Sequence, residues 1–325
     1  MGILIYEHFL GQKFVKGTSS LILNEAKIIT TSIANDLMNC SEKPEVSVLI
    51  DDGNINLLDN VNIIKRNNSK EIVDDICLNL NENDFVLIVA PEENLELFNI
   101  VKNLEKRNVN LLNCQSNFIK TTTNKKEINN HLIKSKDYLI NTFDNYKFID
   151  ENNKIIAKVF DGFGSENLFI FHNRADLKDK KILLTDRHIY QPYHEGTIVG
   201  INIVANNGNH RILSINEQKY EETLGNTLAL KKIYIGKLNS SYALFDKFVN
   251  SILSNLEGYN GFFGIDAIIT NDDKIFFLEI NPRLTTSYSF LSKSLGFNPL
   301  ELFYNTNYDF SIENNKNFLI DVYDE

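Results

Sequence analysis

The chain contains few cysteines, and their positions exclude two common kinds of scaffold. Cys40, Cys77 and Cys114 are its three cysteines. They lie far apart in the sequence and form neither a CxxC pair nor a cluster with histidine. This arrangement argues against a zinc site and against a disulfide framework. We therefore expect each cysteine to be a small buried residue in a protein of the reducing cytoplasm.

Long apolar runs and an excess of basic residues are also missing. No window approaches the roughly 18 apolar residues that a membrane-spanning helix needs, and the initial segment MGILIY lacks the basic region of a signal peptide. The 33 lysines and arginines are outnumbered by 43 aspartates and glutamates, which gives a net charge of −10. A charge of this sign argues against nucleic acid or an anionic membrane as a partner. The sequence also lacks a Walker A motif.

What is present is typical of a globular protein with several domains. A length of 325 residues is more than one hydrophobic core usually serves, so two or three domains are expected. The hydrophobic fraction of 43% and the charged fraction of 23% are ordinary for such a protein.

Apolar strands and amphipathic helices alternate through the first part of the chain. The predicted strands are Ile3–Tyr6, Val46–Ile50, Val61–Ile64, Phe85–Ala90 and Val109–Leu112, the predicted helices are Ser20–Cys40 and Leu95–Lys106, and Glu7–Thr18 is a predicted loop. This alternation predicts a parallel sheet covered on both faces. Glu7 and Glu92 follow two of its strands, at the edge where ligands of such sheets bind. A surface carboxylate is the alternative for each.

The next elements are predicted from capping residues and from periodicity. Thr122 or Thr123 can cap a helix that runs through Leu132. The remaining predictions are strands at Ile155–Phe160, Leu168–Phe171 and Thr197–Ala205 and helices at Ser240–Tyr259 and Phe290–Tyr304.

A glycine-containing loop joins two of these strands at residues 161–167. Because a strand, a loop and a strand form a hairpin, Gly162 and Gly164 do not belong to a dinucleotide-binding fingerprint, which leads from a strand into a helix. The glycines would still let backbone N–H groups approach phosphate oxygens closely. Lys158 lies in the apolar strand before the loop and needs an anionic partner if it is buried. Lys125 offers a second cation. The alternative is a pair of surface lysines beside an ordinary turn.

The most informative stretch is the predicted hairpin at Gly261–Tyr288. If residues 271–274 form its turn, Asp266 lies directly opposite Glu279, and Asn281 shares the face of Glu279. Two facing carboxylates repel each other, whereas a divalent cation reverses the sign, because Mg²⁺ is held by carboxylates and substrate phosphates. A hairpin with one solvated face is the alternative. Arg283 places a fixed cation beside the predicted metal site.

Together these segments resemble the ATP-grasp enzymes. The resemblance rests on Lys125, the loop from Lys158 to Ser165, the segment Gln191–Gly196 and the hairpin residues from Asp266 to Arg283, and it covers roughly residues 115–305. It implies an α/β plus α+β protein, with an ATP-grasp fold behind an N-terminal Rossmann-like domain. The implied domains are residues 1–115, residues 116–190 with the glycine loop, and residues 191–325 with the metal site.

The resemblance also implies a role for each candidate residue. Lys125 and Lys158 would bind the phosphates of ATP, and Lys158 and Arg283 would act in catalysis. The glycine loop would close over the triphosphate, and the hinge would bind the adenine and the ribose. The loop residues are Gly162, Gly164 and Ser165, and the hinge residues are Gln191, Tyr193, His194 and Glu195. Ile198 stands at the position where a ribose-binding glutamate is usual, so either Glu195 replaces that residue or nothing does.

The metal and the substrates follow from the same resemblance. Asp266, Glu279 and Asn281 would hold Mg²⁺, or Mn²⁺, as one or two ions. Arg283 would stabilise the transferred phosphoryl group or the substrate carboxylate. Such enzymes join a carboxylic acid to an amine through an acyl phosphate. The catalytic base stays open between His188, His194 and Glu195.

A closer resemblance is carried by three further segments. Residues 3–7, residues 90–92 and Asn281–Tyr288 are similar to the archaeal tyramine–glutamate ligases of methanofuran biosynthesis. This implies an amino acid and an amine as small-molecule partners, with residues 285–287 either lining the acceptor pocket or forming a plain polar loop. A homodimer is compatible with the resemblance. A different acid–amine pair and an ATP-sensing module without turnover remain as alternatives.

Overall fold

The computed structural model describes residues 1–13, 20–58, 61–162, 167–179, 184–206, 208–303, 312 and 316–321. The predicted positions of Gly164 and Ser165 lie outside these residues. Within them, two sheets carry the fold: a five-stranded sheet near the N-terminus and a larger sheet formed by the rest of the chain.

The first sheet is parallel throughout, as the alternation of strands and helices predicts. Its strands are β1 (Gly2–Glu7), β2 (Glu45–Ile50), β3 (Asn62–Lys65), β4 (Phe85–Val89) and β5 (Asn110–Leu111), in the order β3-β2-β1-β4-β5. The accompanying helices are α1 (His8–Gly11), α2 (Ser20–Met38), α3 (Ile72–Leu78) and α4 (Glu96–Glu105). Helix α1 corrects the predicted loop at residues 7–18, because the Glu7 carboxylate accepts from the Leu10 N–H at 2.8 Å and caps this short turn.

Both faces of this sheet are buried by helices. Ile29, Ile33 and Leu37 of α2 pack with Ile3 and Ile5 of β1 on one face. Buried residues of α3 and α4 cover the opposite face. The apolar residues of α2 recur every three or four positions and so line one face of a helix, as the sequence predicts.

Helix α5 (Ser116–Thr123) corrects the predicted capping site. Thr122 and Thr123 form its last turn, where their hydroxyls donate to backbone carbonyls at 2.8–3.2 Å. The N-cap residue of the next helix, α6 (Ile128–His131), is Glu127. In the turn that leads into this helix, the side-chain oxygen of Asn124 accepts from the N–H groups of Lys126 and Glu127 at 3.0 and 3.1 Å.

The larger sheet is antiparallel along its whole path. Its strands are β6 (Ile155–Val159), β7 (Phe169–Phe171), β8 (His188–Pro192), β9 (Thr197–Asn206), β10 (Asn209–Thr223), β11 (Thr227–Ile235), β12 (Gly261–Ile269) and β13 (Ile275–Asn281), and β14 (Phe318–Asp321) pairs with β11. The strand order is β13-β12-β9-β10-β11-β7-β6-β8. Helices α7 (Arg174–Asp179), α8 (Tyr242–Leu253) and α9 (Leu291–Leu295) complete the set, and α9 ends at Gly296 with a φ of 73°.

The hairpin of β12 and β13 pairs Asp266 with Glu279 as predicted, but its turn and its register differ from the prediction. Its turn comprises residues 270–274 rather than four residues, and Ile269 pairs with Ile275. A bulge at Leu278 then shifts the register by one residue, so Asp266 pairs with Glu279 and Gly264 with Asn281. Such a bulge inserts one extra residue on one strand, and here it compensates for the longer turn.

None of the helices among the described residues is long and apolar enough to cross a membrane.

Candidate active site

A cleft separates the β6–β8 unit from the β12–β13 hairpin. One part of its lining is apolar and consists mainly of Ile140, Ile156, Leu168, Ile198, Leu228, Ile268 and Leu278. The other part is charged and contains Lys125, Lys158, Asp266 and Glu279. A pocket with an apolar wall and a few convergent charged groups is the usual form of a small-molecule site.

The floor of the charged part is the carboxylate pair on the hairpin. Asp266 and Glu279 are cross-strand neighbours. Asp266 accepts two hydrogen bonds, from the Asn281 amide at 2.8 Å and from the Gln218 amide at 3.2 Å. All three predicted metal ligands are thus brought together, and Gln218 is an additional neighbour.

Both predicted lysines face this carboxylate pair. The Lys125 ammonium lies 3.2 Å from Glu279 Oε2 and donates to the Gly162 carbonyl at 2.6 Å. Lys158 lies on β6 and is buried, and it interacts electrostatically with Glu279, Lys125 and Asp266. Lys125 therefore joins the start of the glycine loop to the hairpin.

Burial and neighbouring charges in the cleft shift the pKa of Lys158, Asp266 and Glu279. Burial lowers the pKa of Lys158 to about 8, against the opposing pull of Glu279. Burial and the charge of Glu279 raise the pKa of Asp266 to about 7. Burial would also raise the pKa of Glu279, but the charges of Lys125 and Lys158 outweigh it and hold this pKa below its usual range. Glu279 is thus the ionised member of the pair, and Asp266 is the member that an added cation would ionise.

The predicted hinge residues are divided between the cleft and the surface. Gln191, Tyr193 and His194 line the cleft. The Gln191 amide donates to the Thr142 hydroxyl at 2.8 Å, and the His194 ring lies 4.3 Å from the Phe276 ring. Glu195 is exposed and does not line the cleft, whereas Ile198 does.

Arg283 is held outside the cleft by a residue that follows β4 of the first sheet. Its Nη2 donates to Glu92 Oε2 at 3.2 Å, and its Nε lies 3.0 Å from Glu92 Oε1. Glu92 and Glu7 are both buried, 4% and 3% exposed, so the surface alternative fails for each. Burial raises the pKa of Glu7 to about 7, against the charge of Arg283. The carboxyl edge of the first sheet therefore meets the end of the hairpin.

The loop after Arg283 is held by its own polar contacts. The hydroxyls of Thr285 and Ser287 donate to the Asn202 side-chain oxygen at 3.1 and 2.9 Å, and the Thr286 hydroxyl bonds to Glu25. The polar-loop alternative thus accounts for the side chains of Thr285 and Ser287.

The donor set fits magnesium better than a transition metal. No three His, Cys, Asp or Glu side chains of the described residues cluster as ligands. Two carboxylates and an amide oxygen instead leave most positions of a metal to other oxygens, which is the usual arrangement for Mg²⁺ on substrate phosphates. The two carboxylates face each other across the strands, and a divalent cation between them would relieve the repulsion that raises the pKa of Asp266.

Comparisons with known proteins agree with this geometry. A model of the ATP-grasp domain family matches residues 117–287, which is more than half of the chain. The tyramine–L-glutamate ligases of Methanocaldococcus jannaschii and Methanocaldococcus fervens are each 28% identical, over 88% of this chain and 83% and 87% of their own lengths.

Solved structures share the same fold. A protein from Archaeoglobus fulgidus, provisionally assigned to the ATP-grasp superfamily, is 18% identical with a TM-score of 0.71 and covers 99% of both chains. The L-amino acid ligase of Bacillus licheniformis is 14% identical with a TM-score of 0.61 and covers 93% of this chain and 73% of its own.

The chain belongs to the ATP-grasp family. The predicted fold class, an ATP-grasp fold behind a Rossmann-like domain, is confirmed by the family match and by these structures. The prediction that the chain is a ligase of this family is confirmed by its curated relatives.

Proposed function

We propose that this protein is an ATP- and magnesium-dependent ligase that joins a carboxylic acid to an amine through an acyl phosphate. The observation that carries the proposal is the pairing of Asp266 with Glu279, with Lys125 at 3.2 Å from Glu279 and Lys158 lining the same cleft. Two carboxylates that can hold a metal ion and two ammonium groups that can neutralise phosphates suit this cleft to a metal-bound triphosphate.

ATP would lie along the cleft with its adenine on the apolar wall. Gln191 and the backbone near Tyr193 would meet the base, and Lys125 and Lys158 would neutralise the phosphates. Asp266, Glu279 and Asn281 would hold Mg²⁺ or Mn²⁺, which supplies charge neutralisation at the phosphate oxygens. Gly162, at the start of the loop, already contacts Lys125.

The chemistry needs two transfers. A carboxylate oxygen of the acid attacks the γ-phosphorus, the bond to the β-phosphate oxygen breaks, and ADP leaves. The amine nitrogen then attacks the acyl carbon, loses a proton, and phosphate leaves. Phosphoryl transfer depends mainly on positioning and on charge, and those are the contributions of Lys125, Lys158 and Arg283.

The acid and the amine would bind where the two sheets meet. Glu7 and Glu92 lie at the carboxyl edge of the parallel sheet, where ligands of such sheets collect. Arg283 lies there too and is a cation that a carboxylate or phosphoryl group could meet.

The identity of the curated relatives favours one substrate pair. Their names specify tyramine and L-glutamate. We propose the same pair for this chain, with γ-glutamyltyramine as the product, because the similarity extends over 88% of its residues and so includes both sheets.

The proposal is tested by measuring the phosphate released from ATP in the presence of Mg²⁺, with amino acids and amines added singly and in pairs. Release that needs both glutamate and tyramine is the expected result. Release with a different pair would keep the ligase and replace the substrates. Nucleotide binding without release under every pair would contradict ligation and indicate an ATP-sensing protein.

A further inference from the structure

The side chain of Arg283 is fixed by a residue far away in the sequence. Arg283 follows β13, whereas Glu92 follows β4 and stands 191 positions earlier. The guanidinium places its Nε 3.0 Å and its Nη2 3.2 Å from the two carboxylate oxygens, while its Nη1 donates to the Leu284 carbonyl at 3.2 Å. The Nη2 contact is a hydrogen bond, whereas the Nε contact is an ion pair without hydrogen-bond geometry.

Other carboxylates surround Arg283, but each has a different direct partner. Glu279 pairs with Lys125, Glu7 accepts from the Leu10 N–H, and Glu25 bonds to Thr286. Among the described residues, the Glu92 side chain contacts Arg283 alone. The contact is therefore specific to this pair.

Burial limits what this ion pair adds to the stability of the fold. Glu92 is 4% exposed, and taking two charges out of water offsets most of their attraction. Arg–carboxylate pairs with two contacts do, however, fix the plane of the guanidinium. Within the described part of the chain, one hydrogen on each of Nη1 and Nη2 makes no hydrogen bond, and Nε has no hydrogen-bond partner.

We propose that Glu92 is a positioning residue for Arg283. It holds the guanidinium by one side and leaves its outer end directed to an anionic group, either the transferred phosphoryl or the acid's carboxylate. The first sheet thereby takes part in the reaction through a side chain that does not touch the substrates. This inference rests on the proposed function, because that function gives Arg283 its anionic partner.

Binding of inorganic phosphate to the protein saturated with Mg·ADP tests the inference without turnover. We expect Glu92→Gln to weaken phosphate binding at least tenfold and to change the dissociation constant of Mg·ADP less than twofold. Glu301→Gln is the matched control, because Glu301 also links distant parts of the chain, through Ser41 at 2.6 and 2.7 Å. The control should bind phosphate like the wild type.

A double-mutant cycle separates positioning from a structural role. In an Arg283→Ala background, Glu92→Gln should weaken phosphate binding less than twofold further, because Glu92 acts only through Arg283. Equal tenfold losses in both backgrounds would overturn the inference. So would a wild type that binds no phosphate, or a normal affinity in Glu92→Gln.

Two further outcomes keep the test decisive. If Glu92→Gln does not fold, Glu92→Asp should show a smaller loss of phosphate binding with unchanged binding of Mg·ADP, and a loss of both affinities together would refute positioning. A wild type that shows the coupled phosphate binding but ligates no acid–amine pair would contradict the proposed function while supporting the role of Glu92.

Discussion

At the scale of single residues, Asp266 carries an electrostatic cost that should be measurable in the metal-free protein. Its pKa is raised to about 7 by burial and by Glu279, whereas an unfolded aspartate titrates near about 3.9. The folded chain therefore favours the neutral form, and the free energy of unfolding falls as the pH rises from about 4 through 7.

Removing this charge should stabilise the metal-free fold. We expect Asp266→Asn to raise the free energy of unfolding at pH 8 by about 1 kcal/mol or more, with a smaller gain at pH 5. Urea unfolding in the presence of EDTA measures the gain. Asp272→Asn in the exposed turn of the same hairpin is the control and should leave the stability unchanged. A destabilised Asp266→Asn at pH 8 would contradict the repulsion.

Two adjacent lysines allow a direct test of the predicted phosphate contact. Lys125 is buried against Glu279 and Gly162, whereas Lys126 pairs with Asp144 at the surface. Lys125→Ala should weaken binding of an ATP analogue at least tenfold, or about 1.4 kcal/mol, and Lys126→Ala should change it less than twofold. Fluorescence titration compares them. Equal affinities for the two variants would rule out the role of Lys125.

At the scale of secondary structure, strand β9 makes room in the candidate site because it has a glycine, Gly200, beside Asp266. A Cβ atom at Gly200 would lie 2.5 Å from the Gln218 amide nitrogen and 3.2 Å from Asp266 Oδ1. Glycine therefore leaves room for Gln218, on the neighbouring β10, to reach Asp266 on β12.

Gly200→Ala should consequently disturb the metal site more than the fold. We expect at least a tenfold increase in the Mg²⁺ concentration that gives half-maximal activity, because Gln218 and Asp266 must move apart. The free energy of unfolding should fall by only about 1 kcal/mol, the cost of a small shift in packing. A normal requirement for Mg²⁺ in this variant would show that Gln218 does not orient Asp266.

The elements that the sequence predicts well are those with one buried face. Helix α2 keeps its apolar residues at helical spacing, and strands β1, β2 and β4 are short apolar runs between turns. Strand β10 has no such signature, because Ile212–Glu217 is buried on both faces while Gln218–Thr223 is mostly polar. Neither half alternates, so β10 and its partner β11 escape prediction.

The residues of the candidate site that could be predicted from the sequence are those of the hairpin and the two lysines. The residue types and the register argument identify Asp266, Glu279, Asn281, Lys125 and Lys158, which the structure brings together. Gln218 could not be found without recognising β10. The pairing of Glu92 with Arg283 could not be found either, because it joins residues that follow strands of two different sheets and leaves no local pattern.

At the scale of the whole molecule, three parts of the chain meet around the candidate site. The β6–β8 unit contributes Lys158 and the hairpin contributes Asp266 and Glu279 to the cleft, whereas Glu92, which follows β4 of the first sheet, contacts Arg283 at the end of the hairpin. Besides the ion pair of Glu92 with Arg283, a second set of ion pairs joins the β6–β8 unit to the segment after β4. There Arg187 contacts Asp161 at 2.6 Å and Glu93 at 3.1 Å. The site therefore depends on how these parts are held together.

The central claim is that the carboxylate pair holds magnesium on a triphosphate. Calorimetric titration with a non-hydrolysable ATP analogue tests this claim most directly. The wild type and Glu279→Gln are each titrated once in the presence of Mg²⁺ and once in the presence of EDTA. We predict that Mg²⁺ tightens binding to the wild type at least tenfold. The variant should lose this gain, yet bind the metal-free analogue at least as well, because one repelling charge is gone. An undiminished Mg²⁺ effect in Glu279→Gln would contradict the account.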